Sequence, residues 1–511
     1  MRVKVIKIKN FRGFKDEVKV EIGDLTAFVG KNDIGKSTIL EALEIFFNEG
    51  KGIIKISKED INKEKHAEGV NEITISICFD ELPKTILIDD TNHTTLQNEY
   101  LLNSEKQLEI IKSYTNGNRE RVFIKAYHPT NPICKDLLQK TNTELQHIIK
   151  ENSVDCSNLT KNAVMRSAIW QHFSSDLQLQ EIEVDISKGE SKSIWDKLRN
   201  YLPQYHLFQS DRKNSDGDNE VQDPLRVAVK QILTNEKIRN QFDEIAKEVK
   251  ATLEEVSART LEKVHEMNPE IASGLNPVIP ETESLKWADV FKSVSIVGDE
   301  SISINKRGSG VKRLILLNFF RAEVERIRLA QNVFNIVYAI EEPETSQHSE
   351  HQKKIIKALL ELSKASGTQV IITSHSATVV KLLEFNHLRL VKSCGPAKVI
   401  EEVSPGVLAY PSLNEVNYIA FSEITEEYHN ELYGFLCWKK EIKNYLEGKR
   451  KIRYTRLNRD LVPDKTIDVT LSEYIRHQIH HPENKHNERY TDKQLKESIE
   501  SMRGFIRDVT K

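Results

Sequence analysis

The sequence has few cysteines, and none in a pattern that would put them to structural use. Cys78, Cys134, Cys156, Cys394 and Cys437 are scattered, odd in number and form no C-x-x-C pair. That argues against a disulfide framework and a cysteine-built zinc site, and it suits a reducing cytoplasm. No apolar run approaches the length of a membrane span. Met1 leads into Arg2-Val-Lys-Val-Ile-Lys7, which reads as a strand of alternating character rather than a signal peptide. A large charge of either sign is missing too. Lys and Arg number 74 against 77 Asp and Glu, a net charge of −3, so contact with nucleic acid would have to come from a local patch. Internal repeats and low-complexity tracts are absent. The expectation is a soluble, cytoplasmic protein with no membrane partner.

At 511 residues the chain is long enough for two or three domains. Its most informative segment is Gly30-Lys31-Asn32-Asp33-Ile34-Gly35-Lys36-Ser37, a complete G-x-x-x-x-G-K-[ST] phosphate loop. Leu25 to Val29 reads as a buried strand before it, and the run from Thr38 to Leu43 reads as a helix after it. Glycines let such a loop turn its N–H groups toward phosphates, Lys36 reaches the β- and γ-phosphates, and the Ser37 hydroxyl can ligate Mg²⁺. The expected ligand is ATP or GTP.

A phosphate loop needs an acidic partner. Ile336 to Ile340 reads as a buried strand running into Glu341-Glu342-Pro343-Glu344. Glu341 is the candidate for Mg²⁺ and Glu342 for activating the attacking water. Val370 to Ser374 is a second buried strand, and it ends at His375, placed to sense a γ-phosphate. Between the loop and these strands, Gly308-Ser309-Gly310 opens a helix at Leu314. Small residues at a helix N-terminus suit an anion. A second phosphate-binding turn in a chain with one phosphate loop is explained by a sandwich homodimer, each subunit closing this turn on its partner's nucleotide.

Together these parts resemble the ABC-type ATPase heads of the RecF, SMC and OLD (overcoming lysogenization defect) group. The resembling residues are Ile8 to Phe14, the phosphate loop, Arg307 to Arg313, the Glu-Glu-Pro-Glu run and Thr373-Ser-His375. The resemblance implies an α/β fold, an ABC-type P-loop NTPase head assembled from N- and C-terminal segments. It also implies that Arg12 lies near the nucleotide phosphates. This sequence departs from the pattern in lacking the Leu-Ser-Gly-Gly-Gln spelling and in carrying Glu341 where Asp is commoner. The expected organisation is a first lobe at 1–129, a helical insertion at 130–274, a second lobe at 275–405 and a small, mainly helical domain at 406–511. Within it, Asn116-Gly117 marks a hairpin, and Ile238, Phe242, Ile245, Val249 and Val256 mark an amphipathic helix.

The Toprim nuclease that follows the head in OLD proteins leaves no trace here. Lys439 to Arg459 is instead a basic run with Tyr445 and Tyr454 interleaved, the pattern of a nucleic-acid contact and equally of a solvated helix face and loop. Beyond it, Arg476-His477-Gln-Ile-His480-His481 resembles the Arg-to-His spacing of HEPN ribonucleases, on a helix ended by Pro482. That resemblance makes Arg476 and His481 a candidate metal-free RNase centre: a histidine moves protons near neutral pH, and an arginine steadies charge on the phosphorane. A docking or dimerisation module is the other reading of this terminus. A head with such a terminus resembles prokaryotic antiphage ATPases, among them the Septu ATPase, which works with a separate HNH nuclease. A DNA-repair ATPase of RecF or SMC type without nuclease activity is the alternative.

Overall fold

A computed structural model describes residues 1–48, 54–87, 93–117, 119–188, 191–209, 335–345, 349–395, 397–403, 407–408, 412–458 and 460–509, with scattered helical positions between 237 and 251. The chain divides into two compact units, Met1–Ser210 with Val324–Lys511, and Asp211–Glu323. The expected turn at Gly308-Ser309-Gly310 lies outside the described residues.

The first unit is built on two six-stranded sheets. The antiparallel one orders β2 (Val18–Glu21), β1 (Arg2–Lys9), β4 (Glu72–Asp80), β7 (Leu108–Thr115), β8 (Arg119–His128) and β9 (Gln180–Asp185). The other orders β10 (Gln204–Phe208), β11 (Ile336–Glu341), β12 (Thr368–Ser374), β3 (Leu25–Val29), β13 (Leu388–Cys394) and β14 (Ala397–Glu402), all parallel except the β13–β14 hairpin. A short ribbon pairs β5 (Ile86–Leu87) with β6 (His93–Thr94). Every residue of β3 and β12 is buried, as expected of parallel strands covered on both faces. The sheet draws one head from segments far apart in the chain.

The helix Lys36–Asn48 links the two layers. Ile39, Leu40, Leu43 and Phe46 recur at helical spacing and are buried, and the helix packs on β10, β11, β12 and β4. Tyr205 of β10 fixes it further, donating its hydroxyl to the Leu40 carbonyl at 2.7 Å. The central strand β7 buries Glu109 and Lys112, and each finds a partner: Lys7 at 2.5 Å from Glu109, and Glu120 at 3.2 Å from Lys112. The expected hairpin joins β7 to β8, with Asn116 and Gly117 both in the left-handed region at φ 54° and 71°. Glycine is required at 117, because a Cβ there would stand 2.2 Å from the Ser57 carbonyl.

Two strands fall inside the segment expected to be a helical insertion, 130–274. β9 joins the antiparallel edge and β10 the parallel edge, so the head takes in more of the chain than the helical pattern implied. The helices Asn142–Glu151, Asn162–His172 and Ser191–Leu198 account for that pattern. In Gln180–Asp185 only Val184 is buried, which left the strand little apolar signal.

The C-terminal segment packs helices Leu413–Phe421, Glu426–Trp438, Ile442–Leu446, Leu471–His480 and Asp492–Val509, with Tyr428, Leu432, Leu436, Tyr445, Ile475, Ile499 and Met502 in its core. The basic run is only partly helix and loop: its second half is strand β15 (Lys451–Leu457), paired with β16 (Pro463–Thr470). Ile452 and Tyr454 alternate with charged residues, and Tyr454, Val469 and Tyr474 form a small cluster under the hairpin. Among the described residues no helix is long and apolar enough to cross a membrane.

Candidate active site

β3, β11 and β12 are neighbours, and their registers set Val29 beside Ser374 and Glu341 beside Thr373. The phosphate loop, the acidic run and the histidine therefore leave the sheet at the same carboxyl edge, where open α/β sheets bind ligands. Gly30 leaves β3 with φ 156°, and a Cβ on it would stand 2.5 Å from the Val391 carbonyl. Lys31, Asn32 and Asp33 are exposed, while Ile34, Gly35, Ser37 and Thr38 are half-buried at the helix start. The Lys36 ammonium folds back into the loop, donating to the Gly30 carbonyl at 2.9 Å and the Lys31 carbonyl at 2.7 Å. Burial lowers its pKa, against the opposing pull of Glu342, Glu344, Asp33 and Glu341.

The Ser37 hydroxyl donates to the Glu341 carboxylate, joining the loop to the end of β11. Glu342 follows at φ 42°, a left-handed position for a residue with a side chain. Its N–H donates to the Thr373 carbonyl at 3.1 Å and hydroxyl at 3.2 Å. Its carboxylate lies 3.0 Å from His375 Nδ1, an ion-pair distance without hydrogen-bond alignment. Glu344, the last acid of the Glu-Glu-Pro-Glu run, is 3% exposed. It accepts from the Ser374 hydroxyl at 2.7 Å and the His375 N–H at 3.1 Å, and so anchors the histidine's backbone. The loop, Glu341, Glu342 and His375 form one connected site.

Residues 1–380 match the AAA ATPase domain family (AAA_15), which covers well over half of the chain. The chain belongs to that family. The AAA ATPase is similar to the SMC head domain of Thermotoga maritima, at 13% identity and a TM-score of 0.32, with 79% of this chain and 100% of that one covered. It is also similar to an Smc head bound to the C-terminal domain of ScpA from Pyrococcus furiosus, at 13% identity and a TM-score of 0.38, covering 79% and 96%. A curated relative, the uncharacterized protein MJECL10 of Methanocaldococcus jannaschii, is 44% identical over 61 residues. That match takes in 11% of this chain and 27% of the relative's length.

The donors in the ATPase site fit Mg²⁺. Ser37 and Glu341 bring a hydroxyl and a carboxylate into contact, and both are hard oxygen ligands. Among the described residues no three His, Cys, Asp or Glu converge as a metal cage. Arg12 lies at φ 48° on the turn between β1 and β2. Its guanidinium contacts Glu41 of the Lys36–Asn48 helix and donates from Nε to Asp60 at 2.7 Å. Burial lowers its pKa, but these two carboxylates outweigh that and leave it raised. The structure thus ties Arg12 to the phosphate-loop helix through Glu41, a link that the motif could not reveal.

The C-terminal candidates each have a partner of their own. The Arg476 guanidinium stacks 4.2 Å over the Tyr433 ring. His481 caps the helix end and its Nδ1 lies 3.1 Å from Glu483. His477 stacks on Tyr454 at 5.0 Å, and burial lowers its pKa. Hairpin β15–β16 followed by the helix Leu471–His480 gives a ββα order, though the histidines make no metal cluster among the described residues.

Proposed function

We propose that this AAA ATPase hydrolyses ATP with Mg²⁺ at the edge of β3, β11 and β12, and that the cycle gates a nuclease in a prokaryotic antiphage system. The observation that carries the hydrolytic part is the linked set Ser37–Glu341 and Glu342–His375 beside the phosphate loop. Residues Gly30 to Thr38 bind the triphosphate, and Lys36 exchanges its two loop carbonyls for phosphate oxygens. Ser37 and Glu341 would hold Mg²⁺, which would supply positive charge to the triphosphate. Glu342 orients the attacking water and accepts its proton, while His375 holds that carboxylate and reports the γ-phosphate. Two subunits close on each other's nucleotide through Gly308-Ser309-Gly310 and form a homodimer.

The effector is either the Arg476/His481 centre acting on RNA, or a separate HNH partner docked on the C-terminal domain. The exposed basic residues Arg450, Lys451, Arg453 and Arg456 support nucleic-acid contact along the run Lys439 to Arg459. The test is phage restriction in cells making wild type, Lys36→Ala or His481→Ala. Loss in both variants, with RNA fragmentation that survives EDTA in the wild type, supports the built-in RNase. Loss in Lys36→Ala alone supports a partner nuclease. Full restriction by Lys36→Ala contradicts ATP gating.

A further inference from the structure

One lysine outside the phosphate-loop motif reaches the loop from the far end of the chain. Lys398 sits on β14, opposite Ser393 in the β13–β14 hairpin. Its ammonium donates to the Asp33 carbonyl at 3.2 Å. Its stem lies in a slot between two glycines: a Cβ on Gly13 would stand 2.6 Å from it, and a Cβ on Gly35 would stand 3.2 Å away. The same hairpin presents the Val391 carbonyl to Gly30. It therefore buttresses both the first and the last glycine of the loop.

The geometry has a direct consequence for phosphate binding. Every described peptide is trans, so the C=O of Asp33 and the N–H of Ile34 point in opposite directions. A cation pulling the Asp33 carbonyl toward β14 turns the Ile34 N–H to the other face of that peptide. Asp33 itself is left-handed at φ 59°, a conformation that aspartate adopts more readily than most residues with a side chain and that the Lys398 contact helps to hold. Lys36 must release its carbonyls to reach a phosphate, whereas Lys398 can keep its own throughout.

We infer that Lys398 is a positioning residue for the nucleotide, pinning the Asp33 carbonyl so that the Ile34 N–H faces the triphosphate, with its own charge behind the loop. The inference rests on the ATP site proposed above. Burial lowers the Lys398 pKa, with the Asp33 carboxylate as the opposing influence. A bound polyphosphate would add a second opposing charge.

The experiment is steady-state ATP hydrolysis by Lys398→Met, which keeps the stem and loses the ammonium, beside Lys398→Arg, Gly13→Ala and Lys36→Ala. A preset loop N–H binds ground state and transition state alike, so the loss should fall on KM. Lys398→Met is expected to raise KM for ATP about tenfold, the size of one hydrogen bond involving a charged group, with kcat within about twofold of wild type. Lys398→Arg should recover most of the loss. Gly13→Ala, which displaces the stem without removing the charge, should raise KM in the same way. An unchanged KM in Lys398→Met, or a fall in kcat together with a lower melting temperature of the nucleotide-free protein, overturns the inference. If Lys36→Ala is inactive while Lys398→Met behaves as wild type, only the role of Lys398 fails. A wild type that hydrolyses no ATP removes the underlying site as well.

Discussion

Replacing Glu342 with glutamine is expected to cut ATP turnover about a thousandfold, the middle of the range for removing a general base, and to leave ATP affinity close to wild type. The amide keeps the volume and the hydrogen-bonding reach of the carboxylate, so packing changes little. The left-handed backbone at this residue is held by N–H bonds to Thr373, which the substitution does not touch. What disappears is the negative oxygen 3.0 Å from His375, and with it the proposed acceptor for the water's proton. Phosphate release measured beside equilibrium ATP binding separates the two effects. Turnover near wild type would move the base elsewhere, with Glu344 a poor substitute because it is buried and its Oε1 is held by Ser374 and His375.

The second large effect is on stability in acid. His429, on the helix Glu426–Trp438, is wholly buried and shares a 2.9 Å hydrogen bond with Ser498 of the final helix, while its Nδ1 has no hydrogen-bond partner among the described residues. Burial, with a smaller contribution from Arg476, lowers its pKa to about 4. The unfolded chain takes up this proton near pH 6.5 and the folded chain only near 4, so acid favours unfolding. The stabilising difference is fully present above pH 6.5 and is lost as pH falls through 4. Its size, about 3 kcal/mol, follows from the gap between the two pKa values. Denaturant midpoints measured between pH 7 and pH 4 should fall steeply for the wild type and less steeply for His429→Gln. Parallel curves for the two proteins would contradict this account.

The head was legible in the sequence because its chemistry is local. A phosphate loop must sit between a strand and a helix, and an acidic pair must end a buried strand, so β3, β11 and β12 could be read from short apolar runs. The Asn116-Gly117 hairpin was legible for the same reason, since left-handed turn positions select those residues. Less legible were features that depend on distant partners. Glu41 and Asp60 reach Arg12 across tens of residues, and Lys398 reaches the phosphate loop from 365 positions away. Glu344 was visible in the acidic run, yet only its burial against Ser374 separates it from its neighbours. The β15–β16 hairpin was hidden by charge. The alternation of Ile452 and Tyr454 is there, but Lys451, Arg453 and Arg456 give the stretch the composition of a solvated basic run.

The central claim is a nucleotide site at the shared carboxyl edge of β3, β11 and β12, with Lys36 as its main cation. Equilibrium titration of a fluorescent ATP analogue with Mg²⁺ against the wild type and Lys36→Ala tests it most directly. The account predicts saturable binding by the wild type, and affinity lower by about a hundredfold in the variant, the size of two tenfold steps at 1.4 kcal/mol each. Equal affinity in the two proteins would contradict it.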